Sequence, residues 1–318
     1  MTIRLLLDVD TGTDDAVAIM LAALHPDLEL AAITTVNGNV PVKNCTDNTL
    51  RTLDYIGKQS IPVYEGAPEP ISRRDFPIPR SQRGISEIHG EHLDIPEAVT
   101  AKADGIGALA ILDEYREGGP GRDTVLVATG PLTNVALALK LDPSLAARIP
   151  KLVIMGGGHE VPNVTPSAEF NIWADPEGAA VVLGSGIAEI ILVPLDSTHR
   201  ALISLEDCAA FRALGSPAGE ATARFVQRRI EGYDATQPMS RLGAAPVHDA
   251  LCVAYLIDPA VIPLEKYYVD VETDGPLTVG RTVVDTHRRS GKEPNVWVSL
   301  DADEKKFREI MLAAFAAR

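Results

Sequence analysis

Cysteine is scarce. Cys45, Cys208 and Cys252 are the only three in 318 residues and lie far apart. That spacing fits neither a zinc cluster nor a disulfide framework, so each is expected to be a small core residue in a reducing compartment. Basic residues are outnumbered, 29 Lys and Arg against 44 Asp and Glu, for a formal net charge of −15. A polynucleotide is gripped by neutralising its phosphates with Lys and Arg, so this balance argues against a nucleic-acid polymer as partner. Neutral nucleosides and sugars stay open. No apolar run approaches a membrane span, and Met1-Thr2-Ile3-Arg4 lacks the basic-then-apolar order of a signal peptide. The expectation is a cytoplasmic protein with no membrane partner.

Apolar residues are plentiful at 46%, enough for a large core. Residues 3–7, apolar except for Arg4, read as a strand buried on both faces, and 16–24 read as the helix after it. Further strands are expected at 28–36, 61–64, 124–128, 151–155 and 187–195, with helices at 39–56, 106–115, 132–141 and 250–257. Another helix starts at Asp175-Pro176, an N-cap followed by proline at the first helical position. This alternation specifies an α/β fold, a largely parallel, Rossmann-like central sheet flanked by helices, with residues 1–318 as a single domain. Two stretches break the rhythm. Residues 66–97 hold Arg73, Arg74, Arg80, Arg83, His89 and His92 among five prolines, and residues 233–247 lead into His248-Asp249. Irregular stretches that long in a compact domain are usually lids or binding loops.

Four carboxylates, Asp8, Asp10, Asp14 and Asp15, fall within eight residues where the first strand should turn into the first helix. Open α/β sheets bind ligands at the carboxyl ends of their strands. Short carboxylates crowded there suit a hard cation such as Ca²⁺, which takes oxygen ligands. Helix capping accounts for Asp14 or Asp15, but not for all four.

Other polar groups recur at later strand ends. Asn39, in Thr35-Val36-Asn37-Gly38-Asn39, reads equally as a helix N-cap and as a neighbour of Asp10. In Ala128-Thr129-Gly130-Pro131-Leu132-Thr133-Asn134, Gly130 permits a bend that frees the Thr129 carbonyl for a cation. Met155-Gly156-Gly157-Gly158 allows close backbone approach, yet no Lys follows at P-loop spacing. Residues 163–171 supply Asn163, Glu169 and Asn171 beside Phe170, a set suited to sugar hydroxyls; a phosphate calls for Arg or Lys. Asp249 reads either as an N-cap with His248 on the surface, or as the anionic oxygen that a centre of Asp10, Asp15 and one carbonyl still needs.

Taken together, 8–16, 35–39, 128–134, 163–177 and 248–249 resemble the inosine-uridine preferring nucleoside hydrolases, with the matches in order along most of the chain. The resemblance implies the nucleoside hydrolase fold and hydrolysis of the N-glycosidic bond of purine or pyrimidine ribonucleosides to ribose and free base. It implies Ca²⁺ held by Asp10, Asp15, Asp249 and the Thr129 carbonyl, with Asp10 as general base toward a water oriented by the ion. Asp14, Asn39, Met155, Asn163, Glu169, Asn171 and Asp249 would hold the ribose. His248 would serve as leaving-group acid, with His89 and Tyr233 as lid contacts near the base. A nucleoside is the implied partner, and the implied assembly is a homodimer or homotetramer.

The chain departs from the family pattern at Thr11, usually Pro, at Pro162, usually Gly, and at Glu91-His92, where an Asp-Gly pair is common. Trp173 and Trp297 lie outside the expected lids, which disfavours the purine-specific subtype with its stacking tryptophans. Three rival readings are weighed beside this one. Asp8-Val9-Asp10-Thr11-Gly12 looks like the nucleophile motif of haloacid-dehalogenase-type phosphatases, but Gly12 stands where Thr or Val is expected and the downstream Lys set is missing. A Ca²⁺-dependent nucleoside or sugar binder without turnover shares the same residues. A nucleoside phosphorylase would need a phosphate site, and the motifs carry few cations.

Overall fold

The computed structural model describes residues 2–72 and 88–316. Strands β1 (Ile3–Val9), β2 (Leu28–Thr35), β3 (Val63–Glu65), β4 (Val125–Ala128), β5 (Lys151–Met155) and β6 (Ile190–Val193) pair in parallel in the order β3-β2-β1-β4-β5-β6. Between them run α1 (Thr13–Leu24), α2 (Val42–Tyr55), α3 (Gly107–Glu114), α4 (Thr133–Leu141), α5 (Phe170–Ala174) and α6 (Pro176–Leu183). The later chain adds α7 (Leu195–Thr198), β7 (Leu202–Ser204), α8 (Leu205–Ala213), α9 (Pro217–Thr236), β8 (Ala244–Pro246) and α10 (His248–Ile257). It ends with β9 (Glu265–Tyr267), β10 (Val269–Val271), β11 (Thr282–Val284), β12 (Val296–Val298) and α11 (Glu304–Ala316). β12 extends the sheet in parallel with β6, and β9 closes that edge antiparallel to β12. Two small antiparallel pairs, β7 with β8 and β10 with β11, stand apart.

The period-two alternation of side chains divides the core between the faces of the sheet. Leu5, Leu7 and Val9 of β1 join Val127, Val153 and Val193 in one cluster, with α1, α9, α10 and α11. Leu6, Leu126, Ile154 and Leu192 join the other, with α3, α4 and α6. Burial on both faces explains why Leu5-Leu6-Leu7 of β1 are consecutive apolar residues and do not alternate with polar ones. The chain leaves β1 toward β2 and β3, then crosses back to β4 on the other side of β1. This reversal opens a crevice beyond the carboxyl ends of β1 and β4, where Asp10 and Thr129 emerge. Among the described residues no helix is long and apolar enough to cross a membrane. All three cysteines are buried and unpaired, as their spacing suggested.

Several expected boundaries move, each for a local reason. Helix α1 begins at Thr13, not residue 16, because Gly12 is its N-cap and the Asp15 carboxylate accepts the Gly12 N–H at 2.9 Å. Helix α2 begins at Val42 behind Pro41, so Asn39 is not its N-cap. Helix α10 begins at His248, and Asp249 sits inside its first turn instead of capping it. Tyr233 lies near the end of α9, not in a loop; Ser216 caps that helix by accepting the Gly219 N–H, and Pro217 starts it. Arg73, Arg74, Arg80 and Arg83 fall outside the described residues.

Candidate active site

Asp10, Asp14, Asp15 and Asp249 converge in the crevice, each at most 4% exposed. Asp10 ends the extension of β1, and one of its oxygens, Oδ2, accepts the Asn39 N–H at 2.7 Å. The turn that delivers this N–H needs glycine: a Cβ on Gly38 would lie 2.0 Å from Asp10 Oδ2. The other oxygen, Oδ1, is buried with no hydrogen-bond partner among the described residues. Asp15 Oδ2 also accepts from Asn39 Nδ2 at 3.3 Å, and its Oδ1 accepts from Thr129 Oγ1 at 3.0 Å. Asp14 Oδ1 lies 2.8 Å from Nη1 of Arg229.

Burial, reinforced by mutual repulsion, pushes Asp10 and Asp249 well above the ordinary carboxylate range and Asp15 up to about 7. Among the described residues Arg229 is the only buried Lys or Arg, so the cluster has one internal cation for four carboxylates. A divalent cation fits this deficit, and the all-oxygen donor set suits a hard ion. Ligand atoms of Asp14, Asp15 and Asp249 lie within 4.8 Å of one another. Asp10, expected as a ligand, falls outside that tight trio, although it lies close enough to Asp15 for the charge of Asp15 to raise its pKa. The Thr129 carbonyl accepts from Asn171 Nδ2 at 2.7 Å, which leaves it a second lone pair.

Opposite the carboxylates stands a fixed polar wall. Glu169 is the N-cap of α5 and accepts the N–H groups of Asn171 at 2.9 Å, Ile172 at 3.2 Å and Gly157 at 2.7 Å. Three such bonds favour the ionised form, yet burial outweighs them and moves the carboxyl up to about 7. The glycine loop thus spends its Gly157 amide on a protein carboxylate, consistent with the missing P-loop lysine. Asn171 also donates to the Met155 carbonyl at 3.2 Å. Asn163 lies at the exposed rim, its side-chain oxygen accepting the Phe170 N–H at 2.9 Å.

A third group contains His248, Tyr233 and His89. The His248 ring is held at both nitrogens: Nδ1 lies 2.7 Å from Thr198 Oγ1, and Nε2 lies 2.7 Å from the Tyr233 hydroxyl. Burial first, then the charge of Arg229, keeps this imidazole well below its usual pKa and hence neutral near pH 7. His89 Nδ1 accepts the Thr13 N–H at 3.3 Å and lies 3.7 Å from Asp14, and burial lowers its pKa to about 4.

The three groups share one cavity of about 750 Å³, lined among others by Asp10, Asp14, Asn39, Thr129, Met155, Asn163, Glu169, Asn171, His89, Tyr233, His248 and Asp249. That volume is in the range of small-molecule sites. Of the thirteen residues that the resemblance assigns to the site, only Asp15 lies behind the wall instead of on it; Asp8, the fourth carboxylate of the first cluster, does not line it either. Trp173 packs with Ala168, Val164 and Phe170, while Trp297 lies in β12; neither lines the cavity. Two neighbours escaped sequence reading, Thr198 and Arg229. A signal for Arg229 existed: it is a charge set on the apolar stripe Phe225, Val226, Ile230, Tyr233 of α9, where all five side chains are buried.

Comparison with known proteins gives the family and the fold. Residues 5–309 match the family described as inosine-uridine preferring nucleoside hydrolase. The pyrimidine-specific ribonucleoside hydrolase RihA of Escherichia fergusonii is 38% identical over 311 residues, covering 98% of this chain and 97% of that protein. Among solved structures, the purine-preferring ribonucleoside hydrolase from Gardnerella vaginalis superposes with a TM-score of 0.87 at 30% identity, covering 98% of each chain. The plant nucleoside hydrolase PpNRh1 gives a TM-score of 0.89 at 25% identity over 100% of each chain.

Proposed function

Because this chain belongs to the inosine-uridine preferring nucleoside hydrolase family and is a nucleoside hydrolase, we propose that it converts ribonucleosides and water to ribose and free base, with Asp10 as general base and Ca²⁺ as cofactor. The observation that carries this reading is the unpartnered, buried Asp10 Oδ1 in a cluster of four buried carboxylates, Asp10, Asp14, Asp15 and Asp249, with one internal cation. Asp10, Asp15, Asp249 and the Thr129 carbonyl would hold the ion, with Asp14 in reach of the same centre. A bound divalent cation lowers the pKa of water and orients it.

Asp10 Oδ1 accepts a proton from the attacking water while Asn39 N–H holds its other oxygen in place. The anomeric carbon gains positive character as the base departs, as in other glycosyl transfers, and the surrounding carboxylates favour that charge. Asp14, Glu169, Asn163 and Asn171 orient the sugar. Glu169 and Asn171 are themselves locked by backbone bonds, so their positions are set before substrate arrives. The leaving base takes up one proton, matching the one released by water. His248, neutral at rest and hydrogen-bonded to Tyr233, supplies it after taking up a proton from solvent: burial beside Arg229 makes that imidazolium a strong acid toward the base, and the proton left on Asp10 returns to solvent.

The RihA relatives are named pyrimidine-specific, which supports pyrimidine ribosides as the first substrates to test. Reducing-sugar release across ribo- and deoxyribonucleosides of both base classes tests the proposal. Ribose appearing with a pyrimidine riboside supports it; binding without release favours a binder. The phosphatase reading loses support because no Lys lines the cavity among the described residues. The phosphorylase reading loses it because Arg229, the buried cation there, is already paired with Asp14.

His248→Ala is expected to depress turnover of inosine far more than that of a nitrophenyl riboside, whose leaving group needs no proton. General acid assistance is worth about 10²–10⁴-fold. Metal affinity should change little. Parallel losses on the two substrates would show that His248 acts only by supporting Asp249.

A further inference from the structure

Arg229 is 1% exposed and lines the cavity, and the chemistry proposed above uses its charge on His248 but not its contact with Asp14. Its guanidinium is clamped from two elements. Nε donates to the Pro246 carbonyl of β8 at 2.8 Å; Nη1 donates to Thr13 Oγ1 of α1 at 3.1 Å and lies 2.8 Å from Asp14 Oδ1. One turn further along α9, the Tyr233 ring lies 5.5 Å from the guanidinium carbon. These bonds fix the group's place, so that Asp14 is the carboxylate it touches, while Asp249 and Asp15 feel its charge from further off. Asp14 Oδ1 is buried and, beyond this ion pair, accepts no hydrogen bond among the described residues, and the residue lines the cavity.

Ligand atoms of Asp14, Asp15 and Asp249 come close enough to compete for one ion. Asp14 alone among them already has a full positive charge at contact distance. We infer that Arg229 is a positioning residue that commits Asp14 to the sugar: it holds Oδ1, turns Oδ2 to the substrate hydroxyls, and leaves Asp10, Asp15 and Asp249 as the carboxylates still needing a cation. This rests on the reading of Asp14 as a ribose contact and adds what sets that contact. A guanidinium suits the task because its planar fork reaches a carboxylate, a hydroxyl and a carbonyl from one rigid group; an ammonium is a point charge.

The test compares kcat/KM on uridine and 2′-deoxyuridine for the Ca²⁺-loaded protein and for Arg229→Gln, Arg229→Lys, Asp14→Asn and the Arg229→Gln/Asp14→Asn double variant, with thermal unfolding of each. Arg229→Gln is expected to lose at least tenfold on uridine and little on deoxyuridine, so that the ratio between the sugars shrinks by a similar factor. Asp14→Asn should do the same, and the double variant should be no worse than Asp14→Asn alone, as required of two residues acting through one contact. Arg229→Lys should fall between, and it decides the matter by the same ratio if Arg229→Gln does not fold. Equal losses on both sugars, or additive losses in the double variant, would overturn the inference and leave Arg229 as a packing residue. A ratio that collapses in Asp14→Asn but persists in Arg229→Gln would remove only the arginine's role. A ratio unchanged in Asp14→Asn would overturn the sugar contact itself, and the inference with it.

Discussion

Asp10→Ala should abolish turnover while leaving the fold intact. General-base assistance contributes on the order of 10²–10⁴-fold, and losing a carboxylate from the cation centre adds to the deficit, so kcat should fall by about 10³-fold or more. Stability should move the other way when the metal is removed. Burial and the neighbouring carboxylates Asp14 and Asp15 raise the pKa of both Asp10 and Asp249. Deleting one carboxylate relieves that repulsion, so Asp10→Ala in chelator should unfold at the same temperature as the wild type or higher. Added Ca²⁺ should then stabilise the wild type, as any ligand that prefers the folded state does, and stabilise the variant much less. Thermal melts with and without Ca²⁺, together with ribose release, check both halves. Full activity of the wild type after exhaustive chelation would remove the metal from the mechanism. Near-normal turnover of Asp10→Ala would remove the base.

A preference for ribosides over 2′-deoxyribosides of roughly a hundredfold or more is the second large effect. A charge-assisted hydrogen bond contributes about 1.5 to 3 kcal/mol, and a lost cation contact adds to it. A site built to bond a hydroxyl rejects the analogue without one because its own buried polar groups are left unpaired. Asp14, Glu169 and Asn171 are such groups, each at most 5% exposed. They cannot recover water when the hydroxyl is missing. Equal kcat/KM on uridine and deoxyuridine would contradict this account of the sugar site.

The parts of the site readable from sequence are those that local order determines. Apolar residues ending in clustered Asp read as a buried strand delivering carboxylates to its carboxyl end, and Asp10 and Asp14 do line the crevice there, whereas Asp8 stays within β1, its Oδ1 accepting from Thr34 and Asn134. Motifs such as 128–134 and 163–171 repeat that logic at other strand ends, which is why twelve of the thirteen chosen residues line one cavity. Helix starts were less legible. Asn39, Asp249 and Asp14 all have the chemistry of an N-cap, yet Pro41, Val247 and Gly12 hold those positions. A residue that both caps and ligates looks the same in sequence, and only its surroundings decide between the roles.

Sequence alone therefore determined the α/β class, the strand-end location of the polar groups and the family, because each follows from periodicity and from short contiguous motifs. Tertiary structure decided how charges are shared among them. Arg229 reaches Asp14 across 215 positions of sequence, and Thr198 reaches His248 across 50. Neither pairing leaves a local trace, since each comes from the packing of α9 on α1 and of α7 beside α10. The electrostatic state follows from the same packing: a carboxylate is an ordinary acid until its neighbours exclude water, and burial is a property of the whole fold.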